Sequence, residues 1–205
     1  MRIRRAGLSD VPGMLALKRA LTFDGSTAGG FLLGTDAEGY RQRVADGEVW
    51  VLDDARIVGL AIVLPDGPFR CSDLWERRAD VRWEEDVEAL AAGTLAYYDQ
   101  LGVARGPYRR WGAALALTAT LRVMETADQL VTATVQAPVC NLAAVPYIPR
   151  LGGRRVGRID EVYPDFGPLV SDIWAIGRDG YDARLHAPVG LAERWLVDVA
   201  REAVG

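Results

Sequence analysis

The stretch RRWGAA, residues 109 to 114, takes its meaning from its flanks. Before it runs TLAYYDQLGVA, residues 94 to 104, a strand-like segment, and RGPYRRWGAA forms the loop from which the helix starts. RRWGAALALTATLRVMET keeps an apolar composition at helical spacing, a helix whose first turn is this stretch. Small residues at the start of a helix let a ligand approach the backbone. The unpaired first-turn N–H groups and the helix dipole favour an anion there. No Gly-Lys-Ser/Thr follows and no Gly-x-Gly-x-x-Gly is present, so this is neither a Walker loop nor a dinucleotide fingerprint. The expectation is a phosphate cradle.

Upstream, RIRRA (2–6) suits a first strand, and Ser9 with Asp10 offers an N-cap before the helical VPGMLALKRAL. In DGSTAGGFLLG (24–34), glycines and small residues surround Phe31, Leu32 and Leu33, which reads either as a loop folded onto the core or as a lid over a ligand. TDAEGYRQRVAD (35–46) reads as a short helix, EVWVLDD and RIVGLAIVLP as a hairpin, and SDLWERRADVRWEEDVEALAAG (72–93) as a helical insertion. Downstream, QLVTATVQA (129–137) is a strand by β-branched alternation, and NLAAVPYIPRLGG (141–153) a proline-interrupted helix. RRVGRIDEVY and LVSDIWAIG give two more strands. A closing helix, about 188–204, carries Leu191, Trp195, Leu196 and Val199 as the face expected to pack on the body. The order implies one α/β domain over residues 1–205, a mixed sheet with helices on both faces.

With 205 residues, 50% hydrophobic and 25% charged, the chain can bury a substantial core. A net charge of −4 argues against a broad nucleic-acid or anionic-membrane surface. The start, MRIRRAGLSD, leads into no sustained apolar core of signal-peptide type, and no run approaches the roughly 20 apolar residues that span a bilayer, so a cytoplasmic protein is expected. Cys71 and Cys140 form no CxxC pair and have only His186 as an imidazole partner, so reduced thiols and no metal are expected.

Arg109-x-x-Gly112-x-Ala114 between a strand and a helix, followed by Asn141-x-x-Ala144 and Leu151-Gly152, resembles the paired motifs of the GNAT superfamily of acetyl-CoA-dependent N-acyltransferases. The opening segment and the hairpin are similar as well, so the resemblance covers most of residues 1 to 176. It implies a mixed, mostly antiparallel central sheet flanked by helices, with the insertion before the fourth strand. It also implies acetyl transfer from acetyl-CoA directly to a primary amine, here expected to belong to a small molecule. There are three departures. One extra residue, with Pro107 displaced, separates Val103 from the loop; the family tyrosine position holds Ile148, with Tyr147 one place earlier; and Gly152-Gly153 replaces the common Gly-Phe.

The resemblance further implies that Arg109, Arg110, Trp111, Gly112, Ala113 and Ala114 hold the pyrophosphate, and that backbone groups of Leu101, Gly102 and Val103 pair with pantetheine. Asn141 then contacts the pantetheine chain, serves as an N-cap, or both. A base must deprotonate the ammonium, and Asp99 is the first choice, because strand alternation places it on the face of Tyr97 and Leu101. An exposed or salt-bridged strand carboxylate is its alternative role; Asp66, Asp73 and Glu76 compete with it, and His186 lies outside the resembled part. Tyr147 is the nearest acid for the departing thiolate, ahead of Tyr163 and Cys140. Phe31, Leu32, Trp75 and Tyr97 are expected to line the acceptor site. A non-catalytic acyl-CoA-binding module and an enzyme using a longer acyl-CoA are the rival readings, and dimerisation through the last strands or the closing helix is compatible with either.

Overall fold

The computed structural model describes residues 1–23, 31–142, 145, 148–163, 166–186 and 190–205, without the side chains of Arg150 and Arg184. In chain order these form β1 (Arg2–Arg5), α1 (Val11–Ala20), α2 (Ala37–Asp46), β2 (Glu48–Asp53), β3 (Ile57–Leu64), α3 (Asp66–Arg70), α4 (Asp73–Glu76) and β4 (Arg82–Trp83). Then follow α5 (Val87–Ala91), β5 (Leu95–Val103), α6 (Trp111–Met124), β6 (Gln129–Ala137), β7 (Arg154–Tyr163), β8 (Gly167–Gly177), α7 (Arg178–His186) and α8 (Leu191–Val204).

The strands make one sheet in the order β1-β2-β3-β5-β6-β8-β7-β4, antiparallel throughout except between β5 and β6. The centre of that sheet is apolar on both sides: in β3 every residue from Val58 to Leu64 is buried. Leu60 and Ile62 pack with Met14, Leu17 and Tyr40 of α1 and α2, while Ala61 and Val63 pack with Leu115 and Ala119 of α6. A run buried on both faces can be continuous in its apolar residues, which is why it shows no alternation. The β2–β3 turn places Ala55 at φ 57°. α2 begins where Asp36 accepts from the Gly39 amide at 2.8 Å, the usual role of an N-cap carboxylate.

The helical insertion at residues 72–93 is broken: α4, a 3-10 turn at Arg78–Asp80, the edge strand β4 paired to β7, and α5 follow one another. This path buries Trp75, Val81 and Leu90 in the core. Three expectations need correction. In α8 the buried positions are Val197 and Ala200, whereas Leu191 and Trp195 are exposed. Asp10 does not cap α1; its carboxylate takes the Gly7 amide and a bidentate pair of N–H groups from Arg4. The described part of 141–153 ends in a 3-10 turn, Pro149–Leu151, closed by Gly152 at φ 79°, a left-handed conformation that suits glycine. α3 and α7 carried no sequence signal strong enough to be anticipated.

Candidate active site

β5 and β6 pair in parallel only from Leu95↔Gln129 to Tyr98↔Thr132. Beyond that point β5 stays with β3 up to Val103, while β6 stays with β8 up to Ala137. The two parallel strands therefore part, and among the described residues the β5 edge from Asp99 to Val103 has no strand partner on the β6 side. Ala104 donates its amide to Val58 O at 2.8 Å. By strand alternation Gly102 also turns its polar groups to β3, and Leu101 and Val103 turn theirs into the gap. An extended chain with amide groups of its own can be held in such a gap as an added strand is.

The register slips where the strands part: Ile62 pairs with Gln100 and Val63 with Tyr98, so Asp99 is the extra residue of a β-bulge. Asp99 and Gln100 consequently face the same side of the sheet, towards α2. Arg43 Nε donates to Asp99 Oδ2 at 2.5 Å, Gln100 Nε2 approaches the same oxygen at 3.3 Å, and Tyr40 donates to Gln100 Oε1 at 3.1 Å. Gly102 faces that side too, since a Cβ on it would meet Leu21 and Leu32 at 2.9 and 3.2 Å. Leu101 thus points to the opposite face, towards α6, and the expected grouping of Asp99 with Leu101 is overturned by the bulge; the grouping with Tyr97 stands.

Around Asp99, β7 contributes Glu161 and Tyr163, and the Asp99 and Glu161 carboxylates both act on Tyr97 and Tyr163. Burial first, then these negative charges, push both phenols up from their ordinary values. Burial likewise pushes Tyr40 up to about 12. All three hydroxyls are thus protonated donors near neutral pH. Tyr163 donates to Gly34 O at 3.3 Å, and Phe31 stacks on Phe166 with Phe23 beside both, so the 31–34 segment is fastened to the β7–β8 hairpin.

The other expected acceptor-site residues divide. Tyr97 lies beside Asp99 and stacks on Phe69 at 4.9 Å. Leu32 is only 7% exposed and Trp75 8%, both inside the core. Asp66 is held by Arg70 and accepts the Leu95 amide; the Arg70 guanidinium keeps its carboxyl below the ordinary range, and its place is in the joint between α3 and β5. His186 lies on α7, with Nδ1 2.8 Å from Asp182 O. Tyr147 and Ala144 lie outside the described residues. Cys71 and Cys140 are free thiols, and Cys140 Sγ contacts Gln136 Oε1 at 3.3 Å. Arg43, Tyr40, Gln100 and Glu161 went unnoticed in the sequence; Arg43 is 56 positions from Asp99, and no local pattern links them.

At the end of β5 the chain turns through Gly106 at φ 93°, and Tyr108 donates to Asp54 of the β2–β3 turn at 3.0 Å. α6 starts at Trp111 with no side-chain cap. Among the first-turn amides, Trp111 and Gly112 donate to Tyr108 O and Arg109 O, so the cradle rests on fewer free N–H groups than the sequence implied. Two features still fit an anionic ligand there. A Cβ on Gly112 would meet only Val103 Cγ2, at an ordinary 3.4 Å, so packing does not demand glycine where it costs a helix about 1 kcal/mol. The Trp111 Nε1 proton is shielded from water and finds no acceptor among the described residues. Asn141 donates its amide to Val135 O at 2.9 Å, which fixes it beside the β6 end of the gap.

No protein-family model matches the sequence, and no curated protein matches it. Solved structures do. Arabidopsis thaliana NAA60 in complex with acetyl-CoA superposes with a TM-score of 0.57 at 16% identity, covering 85% of this chain and 98% of that one. The ribosomal-protein-S18-alanine N-acetyltransferase of Escherichia coli gives 0.56 at 13% identity, covering 85% and 92%. An acetyltransferase of the GNAT family from Streptococcus pneumoniae gives 0.52 at 12% identity, covering 84% and 96%. The parted parallel strands, the helix that follows β5 and these superpositions together establish that the chain has the fold of the GNAT acetyltransferases.

Proposed function

We propose that the protein is an N-acyltransferase that moves the acetyl group of acetyl-CoA to a primary amine while both are bound. The observation that carries this reading is the gap between β5 and β6 running towards the start of α6, where Gly112 has no packing reason to be glycine. Acetyl-CoA supplies the thioester, whose C–S bond breaks as the amine nitrogen forms the new C–N bond, and CoA leaves as the thiolate, which takes up a proton from water.

The backbone groups of Leu101 and Val103 hold the pantetheine arm, and an N–H there polarises the thioester carbonyl. The α6 start, with Arg109 and Arg110, holds the pyrophosphate. Asn141 steadies the arm from the β6 side. Asp99 takes the ammonium proton, directly or through a water, and leaves the lone pair free to attack. Arg43 fixes the orientation of that carboxylate by holding Oδ2. Tyr97, Tyr163 and Phe31 bound the acceptor, and the fastening of 31–34 onto the β7–β8 hairpin favours a small molecule.

The test is thiol release from acetyl-CoA across a panel of small amines and N-terminal peptides. Release with a small amine supports the reading, and release with peptides alone would move the acceptor class. CoA binding without release across the panel would replace it with a non-catalytic acyl-CoA-binding module.

A further inference from the structure

α6 does not stand alone at its first turn. Trp111 meets Trp195 of α8 edge to face, with ring centroids 5.1 Å apart and planes at 70°. α8 packs along α6 and β1 and buries Val197 and Ala200. Trp195 nevertheless remains 38% exposed, and Leu191, one helical turn earlier, 83%. Part of the Trp195 indole and most of Leu191 are thus left uncovered near the first turn of α6. Arginines adjoin both rings in sequence: Arg109, Arg110 and Arg194 are exposed, with the exposed acids Glu193 and Asp198 also on α8, and the Arg110 guanidinium lies over the Trp111 ring, 5.9 Å from its centroid.

A flat aromatic surface flanked by guanidinium groups suits a purine ring that carries phosphate. The ring stacks on the indole, and the phosphate oxygens pair with the arginines. An uncharged apolar partner would leave those cations unanswered, and a long polyanion finds too little basic surface on a chain of net charge −4.

We infer that Trp195, with Leu191 at its edge, is the docking surface for the adenine ring of CoA, and that Arg194 faces the ribose 3′-phosphate. The inference rests on the acyl-CoA reading above and extends it to α8, which lies outside the part of the sequence that resembles the family. α8 thereby becomes part of the cofactor site.

The test is calorimetric titration of the full chain, Trp195→Ala, Trp195→Phe and Arg194→Gln with CoA, dephospho-CoA and 4′-phosphopantetheine, which lacks the adenosine. Trp195→Ala is expected to weaken CoA about tenfold and leave 4′-phosphopantetheine unchanged, as loss of one stacked base would. Trp195→Phe keeps most of the affinity, and Arg194→Gln erases the preference for CoA over dephospho-CoA. Unchanged CoA affinity in Trp195→Ala, or equal loss of both ligands, overturns the inference and leaves the acyl-CoA reading intact. A wild-type chain that binds no CoA overturns that reading itself. Should Trp195→Ala not fold, Arg194→Gln decides, since an unaltered preference in it overturns the assignment.

Discussion

Where β5 faces α6 and β6, the features that suit an acyl-CoA are main-chain ones: a strand edge left unpaired after Tyr98 and a glycine at 112 with room around it. Where β5 faces α2 and β7, the features that suit an amine are side chains brought from three elements, Arg43, Asp99, Glu161 and Tyr163. The difference has consequences for reading and for mutation. A main-chain site tolerates drift in its side chains and shows itself as small residues at a strand-to-helix turn. A side-chain site exists only once distant segments have met, and each member is individually replaceable.

Asp99→Asn is the sharpest way to separate the two faces. Turnover is expected to fall by about a hundredfold or more, the scale of lost general-base catalysis, with CoA affinity unaltered. The pH–rate profile should lose its acidic limb; an unaltered profile would remove Asp99 as the base. Among the core residues, Leu32→Ala is expected to cost about 2–4 kcal/mol of stability, seen as a lower Tm. Leu32 is buried beside Gly102, so if its role is packing alone the acceptor KM should hold in whatever fraction stays folded, and a raised KM would make it part of the acceptor site.

A pair remote from both faces calibrates the ion-pair effects. The Arg4 guanidinium holds the Asp10 carboxyl below its ordinary range, so the native state binds that proton less readily than the unfolded chain. The stabilisation is present in full above the ordinary carboxylate range and fades as pH falls through it towards the lower native value. Asp10→Asn should therefore cost about 1–2 kcal/mol at neutral pH and progressively less as pH falls through the ordinary carboxylate range, measured by denaturant titration at several pH values. The smallest effect belongs to Tyr98→Phe. That hydroxyl is buried with no partner among the described residues, so its removal should be neutral or stabilise by up to about 1 kcal/mol. A clear loss of CoA affinity in this variant would instead give the hydroxyl a role in the gap.

Much of the main-chain face was legible beforehand. TLAYYDQLGVA, RRWGAA and the β2–β3 hairpin carry their own periodicity and turn chemistry, and they fall at β5, the start of α6, and β2 with β3. The face towards α2 and β7 was not, for two physical reasons. The bulge at Asp99 depends on how β3 registers against β5, and a single extra residue reverses which side every later side chain faces. The partners of Asp99 come from α2 and β7, and the aromatic fastening joins Phe23 and Phe31 to Phe166, separations no local window spans. Trp75 is a related case: an aromatic in a charged segment is compatible with a binding surface or with the core, and here it is buried against Phe69 of α3.

The central claim is that the gap beside β5 and the start of α6 hold an acyl-CoA, and calorimetric titration of the chain and of Gly112→Trp with CoA and acetyl-CoA tests it most directly. The expected result is saturable binding of both ligands by the wild type, and no measurable binding by a Gly112→Trp variant whose circular dichroism and Tm show the fold intact. Equal affinity in the two proteins, or no binding by the wild type, would contradict it and leave RRWGAA as the plain beginning of a helix.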